Sequence, residues 1–421
     1  MKQNMWIWNH YATNTYIEKG GRHYWFAKYL LEKNYKPTIF CASTIHNSDE
    51  SIDTQQKKHI TNIADNIPYV FIKAPAYNGN SIKRIFNMLS FYKSLFPVSR
   101  EYAKSNGKPD VILASSVHPL TLVAGIKIAK RFKVHCVCEI RDLWPESFVA
   151  YGLISRNNII MKFLYAGEKW IYKKADKLIF TMEGGRDYII KKGWDTGSGG
   201  TVDLKKVFHI NNGVDLEAFE YNREHYQIED EDLNEDNVFK VVYAGSIRMV
   251  NKVGLLLDAA KILKEKEEDS IKFLIWGDGD EKNALESRAK EEGLTNVCFK
   301  GRVEKKYIPY IASRSQLNIA LGETLPLYSF GGSMNKMFDY FAAAKPVLFT
   351  FKLGYSIIDK YGAGQELSDS SPLNIADNIL YFKNLPADDY NKYCVNSRKA
   401  ARDYDFARLT ERLIEIIDIR I

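Results

Sequence analysis

Short apolar, β-branched runs alternate with amphipathic stretches through both halves of the chain. That pattern predicts parallel sheets covered by helices on both faces. In the first half the runs predict strands at 5–8, 37–42, 70–73, 111–114, 134–139, 177–181 and 207–210, with a helix over 22–34 after the first strand. In the second half they predict strands at 239–244, 272–276, 297–300, 317–320 and 346–350, with helices over 254–265, 281–292, 308–313 and 333–343.

A chain of 421 residues exceeds one ordinary core and predicts two domains. The turn sequence Asn211-Asn212-Gly213-Val214-Asp215, followed by an acidic stretch that ends in 229–236, marks the joint. The predicted organisation is an α/β chain with a Rossmann-like first domain over 1–212, a linker over 213–237 and a Rossmann-like second domain over 238–390. Helices over 391–421 then cross back to the first domain. Gly197-Ser198-Gly199-Gly200 predicts a flexible surface loop.

Charge changes this picture only mildly. The 59 basic and 52 acidic side chains give +7, an excess that suits anionic ligands without demanding nucleic acid. Five cysteines without a Cys-x-x-Cys pair predict reduced, packed thiols in a cytoplasmic protein, and no metal site. The first residues carry no apolar run with a cleavage site, and no uncharged apolar stretch reaches membrane-spanning length. The stretch 78–100 is different: it is apolar and basic and lacks acids. It predicts either an interfacial anchor on anionic lipid at the inner face of the membrane or a helix packed on its own sheet.

The candidate chemistry lies in glycine loops. Gly331-Gly332-Ser333-Met334-Asn335-Lys336 opens a helix that carries Asp339 two turns in. The first amides of a helix lack intrahelical partners and bear partial positive charge, so this entrance suits a diphosphate, with Asp339 placed for a ribose. Met337, Phe338, Phe341 and Ala342 also form an apolar stripe, so the same segment is compatible with an ordinary buried helix.

Gly20-Gly21 precedes the first long helix, and Ser115-Ser116-Val117-His118-Pro119 ends a strand. Gly245-Ser246 opens the second-domain loop and brings Arg248 and Lys252 with it; these cations fit either phosphate or a charged surface. Gly277-Asp278-Gly279 ends the next strand, and its glycines serve equally as a tight turn. Glycine loops at the carboxyl ends of strands in both halves predict a cleft between two facing domains, with phosphate held mainly by the second.

In order and spacing, these segments together with Arg141-Asp142-Leu143-Trp144-Pro145-Glu146 and Lys345-Pro346-Val347 resemble the glycosyltransferases of family 4, which have the GT-B fold. The Arg-Asp-Leu-Trp-Pro-Glu and Ser-x-Asn-Lys pieces are most similar to members that build bacterial capsule and O-antigen units, including amino-sugar transferases. Four positions depart from the family. Its paired glutamates fall on Gly331 and Asp339, its first-domain histidine on Arg141, and its phosphate-gripping arginine on Ser246, with Arg248 nearby.

The resemblance implies a metal-free, cofactor-free retaining transferase. Its donor would be a nucleotide sugar, with uridine as the base, and its acceptor a polyprenyl-diphosphate-linked sugar at the membrane. Lys252, Arg248 and the amides of Gly332, Ser333 and Met334 would stabilise the leaving diphosphate. His118, Glu139 and Asp142 would face the donor sugar or the acceptor hydroxyl, although His118 also fits a satisfied loop histidine and the two acids an ion pair with Arg141. A nicotinamide oxidoreductase lacks its Gly-x-Gly-x-x-Gly after the first strand. An epimerase of the same architecture and a catalytically silent partner in glycan assembly remain as alternatives.

Overall fold

A computed structural model describes residues 3–46, 48, 50–77 and 82–419. The chain forms two compact units, residues 1–211 with 406–421, and residues 212–405.

The first unit is built on an eight-stranded sheet of β1 (Asn4–Trp8), β2 (Lys36–Ala42), β3 (His59–Ala64), β4 (Ile67–Ile72), β5 (Val111–Ser115), β6 (His135–Ile140), β7 (Lys177–Phe180) and β8 (Val207–His209). The order is β3-β4-β2-β1-β5-β6-β7-β8, and every pair is parallel except β3 with β4. Helices cover both faces, which is why the central strands are continuously apolar rather than alternating. Met5, Trp6, Ile7 and Trp8 are fully buried, and the Trp6 ring lies 4.9 Å from that of Phe40.

The second unit carries β9 (Phe239–Ala244), β10 (Ile271–Trp276), β11 (Val297–Gly301), β12 (Leu317–Ala320), β13 (Val347–Phe349) and β14 (Gly364–Glu366). Its sheet is parallel throughout, in the order β11-β10-β9-β12-β13-β14. Strand order reverses between β1 and β5 in one sheet and between β9 and β12 in the other. Ligands of open α/β sheets bind at the carboxyl side of such switch points.

The structure departs from the sequence pattern in several places. A short helix, Thr13–Glu18, stands between β1 and the glycine pair. The edge strand β3 and the final strand β14 were not predicted. The stretch 213–237 is not a solvated linker: it holds helices Leu216–His225 and Glu231–Asn234. Its acids are clamped to the sheet, Asp230 and Asp232 by Lys300 at 2.7 and 2.6 Å, and Asp232 and Glu235 by Lys272 at 2.7 and 2.5 Å. Of the terminal helices, Ala387–Asp403 packs on helix Asn335–Ala342 within the second unit, and only Phe406–Asp418 returns to pack on helix Arg22–Glu32.

Residues 82–100 belong to one long helix, Ile82–Asn106, and 78–81 lie outside the described residues. That helix packs within its own unit through Phe91, Leu95 and Val98, which are fully buried, whereas Ile82, Ile85 and Phe86 are more than half exposed. No described helix is long and apolar enough to cross a membrane.

Candidate active site

In the second unit two loops interlock at the carboxyl ends of β9 and β10. Gly245 donates its amide to the Trp276 carbonyl at 2.9 Å, Ile247 donates to that of Asp278 at 2.9 Å, and Gly277 donates to that of Gly301 at 2.8 Å. A Cβ on Gly277, whose φ is +148°, would lie 1.8 Å from the Gly245 carbonyl oxygen, and one on Gly279 would lie 2.1 Å from that of Ile247. Both glycines therefore set the shape of the Gly245 loop from behind, through backbone contact that any side chain would block.

Helix Asn335–Ala342 is fixed against this loop. The Tyr340 hydroxyl accepts from the Ala244 amide at 3.0 Å and donates to the Ile319 carbonyl at 3.3 Å, tying the helix to the ends of β9 and β12. The preceding turn is held by Asn212, whose amide donates to Ser333 Oγ at 2.9 Å and whose side chain donates to the Ser333 carbonyl at 2.8 Å. Gly331 has φ +95°, and the helix begins after Met334 without a side-chain cap.

One helical turn presents Lys336 and Asp339. A Cβ on Gly245 would lie 2.7 Å from Lys336 Nζ, so the missing side chain makes room for this cation at the loop. Burial pushes Lys336 down to about 8, and burial likewise raises the Asp339 carboxyl above its ordinary value, a shift that Lys305 partly opposes. The cations singled out by the sequence sit differently. Lys252 pairs with Glu323 at 3.1 Å, and Arg248 is exposed. Lys336 is the cation that the missing Gly245 side chain makes room for.

In the first unit the carboxyl ends of β1, β5 and β6 hold a buried network. Arg22 follows the glycine pair, where Gly21 (φ +92°) starts its helix. The Arg22 guanidinium donates to Glu139 at 2.8 Å and to the carbonyls of Asn211 and Ile210 at 2.6 and 2.9 Å. The second Glu139 oxygen accepts from Ser115 Oγ at 2.6 Å and faces His23 at 3.5 Å. Burial alone would raise Glu139, but Arg22 and His23 outweigh it and hold the carboxyl far below the usual range.

Glu139 is fully buried and engaged at both oxygens, so it positions this network and does not face a sugar; its partner is Arg22, not Arg141. Asp142 is exposed just beyond β6. Gly20 sits in the turn before the helix, with its amide donated to Thr15.

His118 stands at the N-cap position of helix Pro119–Phe132 without a side-chain capping bond, and its Nε2 lies 2.7 Å from His10 Nδ1. Burial pushes His118 down to about 3 and lowers His10 as well, and the Arg84 charge adds to both. His118 is therefore neutral and almost fully buried, a hydrogen-bonded member of a histidine pair. Its Nδ1 and the His10 Nε2 have no protein partner among the described residues. No group of three or more His, Cys, Asp or Glu able to hold a metal occurs among the described residues.

Two family models cover most of the chain: "Glycosyltransferase Family 4" matches residues 24–218 and "Glycosyl transferases group 1" matches residues 226–395. The chain belongs to the GT-B glycosyltransferases, with a family 4 first half. Among curated proteins, "Probable glycosyltransferase WbjE" of Pseudomonas aeruginosa is 24% identical over 312 residues, 72% of this chain and 73% of that protein. Two solved glycosyltransferase-fold neighbours span nearly the whole molecule. Sucrose-phosphate synthase from Thermosynechococcus elongatus has a TM-score of 0.71 and 14% identity, covering 99% of this chain and 98% of its own. HepE of Anabaena, solved with UDP and glucose, has a TM-score of 0.65 and 14% identity, covering 98% of each chain.

His10, Tyr243 and Tyr340 lie outside the segments that the sequence singles out in this glycosyltransferase, whereas Arg22, Ser115 and Asn212 lie inside them but receive no role there. Arg22 left a usable signal, a cation directly after a helix-opening glycine pair. The others carry none, because their partners lie far along the chain.

Proposed function

We propose that this glycosyltransferase moves a sugar from a uridine diphosphate donor to a lipid-linked sugar acceptor with retention of anomeric configuration, in the assembly of a surface polysaccharide. The observation that carries the donor site is Lys336 held against the Gly245 loop beside the uncapped start of helix Asn335–Ala342. A half-buried cation and the amides that open a helix together suit a diphosphate. The uridine base is supported by the UDP in the HepE neighbour, and the polysaccharide role by the family resemblance of the Arg141–Glu146 segment.

Cleavage of the sugar–phosphate bond leaves negative charge on the β-phosphate, which Lys336, Lys252, Arg248 and the amides of Gly332 to Met334 neutralise. Asp339 accepts from the ribose hydroxyls. The acceptor oxygen bonds to the anomeric carbon on the face that the phosphate leaves, and the hydroxyl proton passes to a departing phosphate oxygen. No carboxylate nucleophile enters this scheme, in keeping with the engaged state of Glu139. Asp142, exposed at the end of β6, is the first-unit acid free to orient a sugar hydroxyl. The exposed apolar residues of helix Ile82–Asn106 support peripheral contact with the membrane that carries the acceptor.

Calorimetric titration with UDP, GDP and NAD, on the native chain and on Asp339→Ala, tests the donor site. UDP binding that weakens in the variant supports the proposal. Binding of NAD alone, or UDP binding indifferent to Asp339, overturns it.

A further inference from the structure

The first unit carries a feature that sugar transfer by itself does not use. Helices Ile82–Asn106, Pro119–Phe132 and Ile159–Lys174 leave β4, β5 and β6 and pack in succession. All three crossovers run in the same direction across the sheet, so the right-handed rule places them on one face. Their first turns line the edge formed by the carboxyl ends of the strands.

Large apolar side chains stand uncovered along that edge. Ile82 is 72% exposed and Phe86 62%; at the entrance to the third helix, Leu153, Ile159, Ile160 and Phe163 are 68, 63, 57 and 73% exposed. The charges among them have one sign. Residues 82–100 contain Lys83, Arg84, Lys93 and Arg100 and no acid; residues 150–163 contain Lys162 and Arg156, the latter paired with Glu146 from outside the stretch, and no acid. A second copy of the chain would bring basic surface against basic surface, whereas an anionic bilayer complements both the charge and the apolar tips.

Behind Phe163 lies a cavity of about 210 Å³, walled by Leu120, Val123, Leu164, Trp144 and Trp170. Apolar cavities of ~150 Å³ already admit benzene. Ser116 and Asp142 give it one polar end, at the termini of β5 and β6. Glu168 borders it as well, but its oxygens are taken by the hydroxyls of Tyr172 and Tyr188 at 2.7 and 2.9 Å. Gly167, inside helix Ile159–Lys174, also lines the cavity, and a Cβ there would meet nothing within 4 Å. A mid-helix glycine costs stability relative to alanine, and here it leaves open space at the cavity's border where a side chain would stand.

We propose that this cavity takes a hydrocarbon chain from an anionic bilayer on which the two apolar patches rest. The identification of that chain with the acceptor's own tail rests on the transferase reading; such a tail would set its head group beside Asp142.

The test uses the full chain with phosphatidylglycerol vesicles whose acyl chains are brominated, and phosphatidylcholine vesicles as control. The protein floats with the anionic vesicles, and bromine quenches part of its tryptophan emission, the part removed by Trp144→Phe with Trp170→Phe. Gly167→Phe, or Gly167→Leu should the first fail to fold, fills the cavity: flotation stays and the quenching is lost. Phe86→Asp with Phe163→Asp lowers flotation about tenfold or more. Absence of flotation with anionic vesicles, or quenching unchanged in the filled variant, overturns the inference. UDP titration of the same samples separates it from the transferase reading: UDP binding without chain quenching sinks only the lipid pocket, and chain quenching without UDP binding sinks only the donor site.

Discussion

Lys336 Nζ lies 4.5 Å from the centroid of the Tyr243 ring and 3.4 Å from its hydroxyl, a cation held between an aromatic face and the Gly245 backbone. With its pKa lowered to about 8 by burial, it carries charge at pH 7 and loses it in mildly alkaline solution. UDP affinity should therefore fall as pH rises through 8, by about tenfold per unit at most. Calorimetry at pH 7 and 9 measures this, and Lys336→Met should remove the pH dependence along with most of the binding.

Lys336 also trades stability for charge. A lysine whose folded pKa is depressed binds fewer protons folded than unfolded between about 8 and its ordinary value near 10.4, so its contribution to stability rises with pH across that window. Lys336→Met should accordingly melt higher than the native chain at pH 7 while binding UDP more weakly. Thermal unfolding and titration on the same preparations show whether the two effects part in this way.

Glu139 and Arg22 make the opposite kind of pair. Their side chains are 0 and 3% exposed, and removal of one partner leaves a buried charge uncompensated. Glu139→Gln should cost about 3–5 kcal/mol by urea unfolding. Because Glu139 positions rather than reacts, turnover per folded molecule should change far less than the yield of folded protein.

Three histidines, His10, His23 and His118, have pKa values lowered by burial. Such groups stay neutral when folded but protonate in the unfolded chain below about 6.5, so their share of stability is present above that pH and is lost on acidification. Urea midpoints should drop between pH 6.5 and 5, and His118→Asn should flatten that slope.

Gly277→Ala should abolish UDP binding, because its Cβ would have to occupy the position of the Gly245 carbonyl. Gly167→Ala should do the reverse for stability, adding about 1 kcal/mol, since the new methyl meets open space inside a helix. Chemical denaturation of both variants checks the contrast.

The central strands were legible because burial on both faces leaves an unmistakable apolar run. β3 was not, since its alternation leaves His59, Thr61 and Asn62 among its residues and exposes Ile63. The sequence did carry a signal: Asp65 and Asn66, both with positive φ, form the two-residue turn into β4. β14 spans only Gly364–Glu366 and has no pattern to read. At the site, glycine positions were readable as places of close approach, but not which backbone they approach. Gly277 and Gly279 meet the Gly245 loop itself, and Glu139 meets Arg22 from a distant helix rather than the neighbouring Arg141. Local spacing cannot encode such pairings, because the sheet order creates them.

The return of helix Phe406–Asp418 to the first unit bears on the order in which the chain can mature. Phe26 packs edge-on against Phe406, and Lys177 Nζ binds the carbonyls of Ile416, Ile417 and Ile419 at 2.5, 2.7 and 2.6 Å. During synthesis, residues 212–405 leave the ribosome as one uninterrupted stretch and can close on themselves. The earlier-made residues 1–211 must wait with one helix face uncovered until the last segment arrives. The portion translated first is thus the portion completed last, which makes the nascent first unit a natural client for chaperones and the second unit the better candidate for expression as an isolated fragment.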